Sequence, residues 1–211
     1  MIRVLLVDDH NIFRQSLREV LENVEGVTVV AETGSGREAV SQTLADKIDV
    51  VLLDISMPDT HGIDVLKQIR QASDTISVIM LSMHADTQYG IRAFKAGASG
   101  YLTKDCSSEQ LVDAIRKVYN GGKYITPELS EIIAGDFLGT GKDGPPHEAL
   151  SDREYQVLKM LAGGTKIRDI AQRLGLSPTT VSTYRHQLLK KLDLSTNEEL
   201  YEYAQKHGLM N

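Results

Sequence analysis

Apolar positions along the chain follow two rhythms. Before residue 124, short uninterrupted apolar runs alternate with stretches of helical spacing, which predicts strands near 2–7, 27–32, 49–54, 76–82 and 99–102. Between and after them the spacing predicts helices near 11–23, 36–46, 61–72, 86–95 and 107–119. In the first, Ile12, Phe13, Leu17, Val20 and Leu21 are expected to form the stripe that covers a sheet. Ser107-Ser108-Glu109-Gln110 reads as a capped helix start and Gly121-Gly122 as its stop. Strands alternating with helices imply parallel pairing through right-handed crossovers, hence an α/β doubly wound parallel five-stranded sheet.

The run Val50-Val51-Leu52-Leu53 ends in Asp54. An unbroken apolar run suits a strand buried on both faces, which would put Asp54 at the C-terminal edge where open α/β sheets bind ligands. Val4 to Val7 likewise ends in Asp8-Asp9, Val78 to Leu81 in Ser82, and Tyr101-Leu102-Thr103 leads to Lys104. Alone, an aspartate after a strand reads as a turn or cap residue. Three carboxylates, a hydroxyl and an ammonium at one rim instead suggest a hard-cation site beside a nucleophile. Mg²⁺ is commonly held by one or two carboxylates plus phosphate oxygens, and aspartate is a known nucleophile toward phosphoryl groups. Lys104 and Ser82 would then stabilise the transferred oxygens.

Val7-Asp8-Asp9-His10, Leu53-Asp54 with Met57-Pro58 and Gly62, Ser82, and Ala96 to Asp105 together resemble the response-regulator receiver domain, which is flavodoxin-like. The resemblance implies that a sensor histidine kinase phosphorylates Asp54, that Ser82 and Tyr101 report the change, and that Mg²⁺ lies against Asp8, Asp9, Asp54 and the backbone carbonyl of Ser56. His10 and His61 are read as residues of rim loops and His84 as part of a mobile loop, each solvated rather than a metal ligand.

With 211 residues the chain suits one large or two small domains, each long enough to bury its own core. No apolar run approaches membrane-spanning length, and Met1-Ile2-Arg3 leads straight into the first strand, so neither a membrane span nor a signal peptide is expected. The single Cys106 cannot form an internal disulfide, consistent with a reducing cytoplasm, and reads as a small filler rather than a reactive thiol.

From Tyr124 the alternation stops. Pro127 to Leu138 reads as a short helix, and Gly139 to Pro146, with three glycines and two prolines, as a linker. A phosphate-binding loop there would need a G-x-x-x-x-G-K-[ST] spacing that is absent. The expected domains are a receiver at 1–121, a linker with a short helix at 122–148, and an all-α domain at 149–211 able to fold alone. Helices are expected near 151–162, 166–174, 178–192 and 196–207. Ser151 to Glu154 is a capping box; Ile167, Ile170, Ala171 and Leu174 form a stripe; Gly175 breaks the helix and Ser177-Pro178 restarts it. That is helix-turn-helix spacing, which any tight pair of amphipathic helices can also produce.

Charge favours the DNA-binding reading. The net charge of −6 is unevenly spread. Lys159, Lys166, Arg168, Arg173, Arg185, Lys190 and Lys191 cluster across the helix-turn-helix with Asp169 as the only acid among them, the footprint of phosphate binding. Leu150 to Leu158, Asp169 to Leu174 and Ser177 to Arg185 are similar to the opening, scaffold and recognition helices of the LuxR-type domain of the NarL/FixJ subfamily. That likeness puts Ser182, Thr183 and His186 in the groove, Lys166, Thr180, Tyr184, Arg185 and Lys190 on the backbone, and Val181 and Leu188 in the core. Many members carry lysine where Ser182 stands and histidine where Tyr184 stands, so the operator sequence is not carried over.

The chain is therefore expected to be a cytoplasmic transcriptional regulator rather than an enzyme. Phosphorylation of Asp54 would control homodimerisation and binding to double-stranded DNA. Two competitors are a phosphohydrolase of the haloacid dehalogenase type, which wants an acid at the position of Ser56, and a protein-binding module with a vestigial helix-turn-helix.

Overall fold

A computed structural model describes residues 1–45, 47–58, 60–83, 87–127, 129–131 and 145–210. They form two compact units, Met1–Leu138 and Gly139–Asn211. His84, most of the expected helix 127–138, and the linker glycines lie outside the described residues.

In the first unit, strands β1 (Ile2–Val7), β2 (Val27–Thr33), β3 (Val50–Asp54), β4 (Ser77–Ser82) and β5 (Gly100–Thr103) alternate with helices α1 (Asn11–Glu22), α2 (Gly36–Ala45), α3 (Gly62–Ala72), α4 (Thr87–Lys95) and α5 (Ser108–Tyr119). The strands form one parallel sheet in the order β2-β1-β3-β4-β5. Helices cover both faces, so every residue of β3 is buried, which is why it reads as an unbroken apolar run. One core gathers Val4, Leu6, Leu52, Ile79 and Leu81 of the sheet under Leu17 and Leu21 of α1 and Leu111, Ile115 and Val118 of α5.

Register sets what meets at the sheet's C-terminal rim. Val7 pairs with Leu53, Asp54 with Leu81, and Ser82 with Thr103, so the four strands end level with one another. The strand order reverses between β1 and β3, which opens a crevice between their ends. α5 begins with the expected capping box, Ser107 accepting from the Gln110 amide while Gln110 accepts from the Ser107 amide.

The expected stripe on α1 needs a correction. Ile12 is 81% exposed, whereas Leu17 and Leu21 are buried. At about 100° per residue Ile12 lies roughly 100° from Phe13, 140° from Leu17 and 180° from Leu21, so it cannot share their face. Beyond α5 the chain does not leave the sheet at once. Tyr124 bridges Gly100 in parallel and accepts the amide of Tyr101, and Leu129 is buried against Gly90 of α4.

The second unit opens with a 3₁₀ turn at Pro146–Ala149 and continues with α6 (Asp152–Ala162), α7 (Ile167–Arg173), α8 (Pro178–Leu192) and α9 (Asn197–Lys206). Ser151 and Glu154 cap α6 reciprocally, and Ser177 caps α8 ahead of its first-turn proline, as the sequence predicts. Between α7 and α8 the chain turns through Gly175 at φ 61°, a left-handed conformation in which a side chain is strained. Ile170, Ala171 and Leu174 meet Val181, Leu188 and Leu192 in a core completed by Tyr155, Leu158 and Leu200. His147, in the opening 3₁₀ turn, is buried within this unit, its Nδ1 3.0 Å from the Tyr203 hydroxyl and its ring edge-on to that of Tyr203. The second unit thus draws on a residue upstream of position 149.

Candidate functional site

The level strand ends bring Asp8, Asp54, Ser82 and Lys104 to one rim, and the backbone tightens the group. Lys104 donates its amide to the Ser82 carbonyl at 2.7 Å, and Ile55 donates to Leu81 at 3.0 Å. The Lys104 ammonium lies 2.7 Å from Asp8 Oδ2 and 3.0 Å from Asp54 Oδ2, with only 1% of each carboxylate side chain exposed. Its Nζ lies over the ring of Phe13, 4.9 Å from the centroid. Asp8 Oδ1 accepts the His10 amide at 2.9 Å, and Asp54 Oδ1 accepts the Ser56 amide at 3.2 Å. Arg14 donates to the Asp8 carbonyl oxygen and holds that turn from α1.

Charge at the rim is unbalanced. Three carboxylates face one ammonium, and burial together with the neighbouring Asp8 pushes the Asp54 carboxyl above its ordinary value despite Lys104. Ligand atoms of Asp8, Asp9, His10 and Asp54 all lie within 4.8 Å of one another. An acidic, oxygen-rich group with surplus negative charge fits a hard divalent cation. Asp9 reaches this group from the less buried side, its Oδ1 3.1 Å from His10 Nδ1. Ser82 and Tyr101 are both buried, at the end of β4 and the start of β5. Ser56 follows β3 and is bridged to His61.

Of the rim histidines, His61 departs from the solvated reading and His10 keeps it. His61 is not solvated but 0% exposed; its Nδ1 accepts the Ile63 amide at 3.3 Å and caps α3, and its ring lies 6.1 Å from that of Tyr89. The neighbouring Gly62 runs so close to the end of β3 that a Cβ on it would lie 2.2 Å from the Asp54 carbonyl oxygen. His10 is solvated on one side, 61% of its side chain being exposed, yet Nδ1 sits 3.3 Å from Asp8 and 3.1 Å from Asp9. The adjacency Asp8-Asp9-His10 was the only signal available in the sequence. Cys106 is half-buried, and burial and Asp105 raise its thiol, in line with a filler role.

In the second unit Ser182, Thr183 and His186 are exposed on α8 while Val181 and Leu188 are fully buried. The hydroxyls of Ser182 and Thr183 back-bond to the carbonyls of Pro178 and Thr179 at 3.0 and 3.1 Å. Thr180 is part of the cap with Ser177, and Tyr184 is half-buried. Lys190 and Lys166 are exposed, the latter at the start of α7. Arg185 donates through Nε to Asn197 Oδ1 of α9 at 2.7 Å, a partner that sequence spacing did not reveal. Lys191 departs from the basic stripe, because its ammonium is 2.6 Å from Glu154 in the α6 capping box.

Residues 4–116 match the model of the response regulator receiver domain, and residues 148–204 that of bacterial regulatory proteins of the luxR family. The response regulator UvrY of Escherichia coli O6:H1 is 38% identical over 211 residues, covering 100% of this chain and 97% of UvrY. The chain belongs to the response-regulator family. This response regulator carries a receiver domain followed by a LuxR-type DNA-binding domain, and it is a transcription regulator of a two-component system. The crystal structure of ChrA, a response regulator in a heme-sensing two-component system, is 32% identical with a TM-score of 0.53, covering 99% of this chain and 98% of ChrA. A structure of two RcsB dimers bound to two parallel DNAs is 25% identical with a TM-score of 0.59, covering 97% and 98%. No helix among the described residues is long and apolar enough to cross a membrane.

Proposed function

We propose that Asp54 accepts a phosphoryl group from a sensor histidine kinase and that the resulting charge controls homodimerisation and DNA binding. The observation that carries this is the buried Asp8–Lys104–Asp54 arrangement at the β1/β3 crevice. A carboxylate oxygen of Asp54 attacks phosphorus, the bond from phosphorus to the kinase imidazole nitrogen breaks, and its electron pair stays on that nitrogen. Asp8, Asp9, Asp54 and the Ser56 carbonyl would hold Mg²⁺, which supplies charge neutralisation for the phosphoryl oxygens. Lys104 exchanges a carboxylate partner for a phosphoryl oxygen, and Ser82 donates a hydrogen bond to another. Ser82 and Tyr101, joined by β4–β5 pairing, would pass that change to the surface of the receiver.

The output is double-stranded DNA. α8 would enter the major groove with Ser182, Thr183 and His186 toward base edges, while Lys166, Thr180, Tyr184, Arg185 and Lys190 meet the phosphate backbone. The RcsB dimers on DNA, with the exposed face of α8, support this reading and a dimeric arrangement on duplicated half-sites. A regulator acting on DNA and receiving its signal from a kinase would work in the cytoplasm. We assign residues 1–121 to the receiver, 122–148 to the connection, and 149–211 to the DNA-binding domain, with the receiver sheet joined by the turn at Tyr124 and the DNA-binding core by His147.

Intact mass measurement after incubation with Mg²⁺ and acetyl phosphate tests the acceptor. One added phosphoryl group in wild type and none in Asp54→Asn is expected, and equal labelling of the variant would overturn the assignment.

A further inference from the structure

His10 is the one nitrogen in an otherwise all-oxygen group. It follows Asp8-Asp9 directly and precedes α1, and its ring does not cap that helix. Its position is fixed from the backbone, since its own amide donates to Asp8 Oδ1 at 2.9 Å. The same turn places Nδ1 3.3 Å from Asp8 Oδ1 and 3.1 Å from Asp9 Oδ1, and the group of four ligand atoms closes with Asp54 inside 4.8 Å. With its hydrogen on Nδ1 the ring can donate to these oxygens, and with the hydrogen on Nε2 the Nδ1 lone pair faces the same point. A cation held by those oxygens would meet the Nδ1 lone pair of the second form, and the side chain is 61% exposed.

We propose that His10 is a nitrogen ligand to the divalent cation of the acidic rim and that it makes this site favour first-row transition ions over Mg²⁺. The inference rests on the proposed cation site of the receiver and adds a donor to it. Mg²⁺ takes oxygen ligands and parts reluctantly with water, so an imidazole does little for it. Imidazole is a good ligand for the later first-row ions, and affinity for a mixed nitrogen and oxygen site rises from Mn²⁺ to Co²⁺ and Ni²⁺.

The test uses the full chain, Mg²⁺, Mn²⁺ and Co²⁺ as probes, and the variants His10→Ala and Asp9→Ala. Dissociation constants are measured by calorimetry and by competition, and Mn²⁺-loaded protein is examined by electron spin-echo spectroscopy for coupling to a ligand nitrogen. Wild type should show a nitrogen coupling that His10→Ala lacks. The ratio of Mg²⁺ to Co²⁺ dissociation constants should fall by roughly tenfold in His10→Ala, the low end of what losing a partner at a metal site costs. If Asp9→Ala weakens all three ions but wild type shows no nitrogen coupling and His10→Ala leaves the ratio unchanged, the His10 proposal is overturned and the cation site stands. If Asp9→Ala changes no dissociation constant, the cation site itself is misplaced and the proposal falls with it.

Discussion

Gly62 stands so close to Asp54 that a β-carbon on it would overlap the Asp54 carbonyl oxygen and come within 2.8 Å of the Ile55 Cα. Both obstacles are backbone, which cannot swing aside as a side chain can. The start of α3 therefore clamps the acceptor's strand end, with the Gly62 amide donating to the Ile55 carbonyl at 2.9 Å. Gly62→Ala should cost about 1–3 kcal/mol in stability, the range for overpacking a tight site. It should also slow phosphorylation from acetyl phosphate. Urea unfolding and a labelling time course check the two effects separately.

The surplus negative charge at the rim has a pH signature. Burial and Asp8 raise the Asp54 carboxyl, so the folded state binds that proton more tightly than the unfolded chain does. Stability from this group is present below the unfolded carboxyl value of about 4 and is lost as pH rises through the higher folded value. At neutral pH without divalent ions, Asp54→Asn should therefore melt above wild type, by about 2–4 °C for each kcal/mol relieved. Lys104→Ala should melt below it, since two buried carboxylates then face each other unpaired. Millimolar Mg²⁺ should narrow the gap between wild type and Asp54→Asn. Thermal scans at neutral pH, with and without the ion, decide the point.

In the DNA-binding domain the sign reverses. Burial alone would raise the Glu154 carboxyl, but hydrogen bonds from Lys191 and from the Ser151 amide and hydroxyl carry it below its ordinary value. Its stabilising contribution is full above the unfolded value of about 4.3 and disappears as pH falls through the lower folded one. Lys191→Ala should cost about 1 kcal/mol, because the lysine is partly exposed and solvent screens the pair. That loss should vanish in acid below the folded value. The check is urea unfolding of wild type and variant across the acidic range.

His147 places the start of the second folding unit. A fragment of residues 145–211 keeps the buried imidazole and its bond to Tyr203, whereas 149–211 loses both and leaves a hole beside Tyr155. The longer fragment should fold alone and exceed the shorter by roughly 2–3 kcal/mol, combining a cavity with a lost buried hydrogen bond. Circular dichroism melts of the two fragments measure the difference.

On DNA, Arg185→Ala or Lys190→Ala should weaken all duplexes alike and flatten the salt dependence, since each phosphate contact releases condensed counterions. Thr183→Ala or His186→Ala should mainly narrow the gap between a preferred and a scrambled duplex, by about 1–3 kcal/mol per lost base contact. Isotherms for the four variants on both duplexes at two salt concentrations distinguish the roles. Unchanged discrimination in both Thr183→Ala and His186→Ala would place base reading elsewhere.

Local periodicity was enough to read the strands, most helices and their caps, because burial on both faces of β3 and one face of α5 leaves its pattern in consecutive residues. It was also enough to name Asp8, Asp54, Ser82 and Lys104, since the first three stand directly after an apolar run, Lys104 follows Tyr101-Leu102-Thr103, and parallel register makes strand ends level. Tertiary structure alone decided which charges are already paired. Lys191 looked like part of a basic stripe until α6 and α8 packed and brought Glu154 to it. His61 looked solvated until it turned inward at the start of α3 beside Tyr89, and His147 looked like linker until Tyr155 and Tyr203 enclosed it. The partners in these contacts stand on different elements, and spacing within one helix or strand carries no information about what another element will place against it.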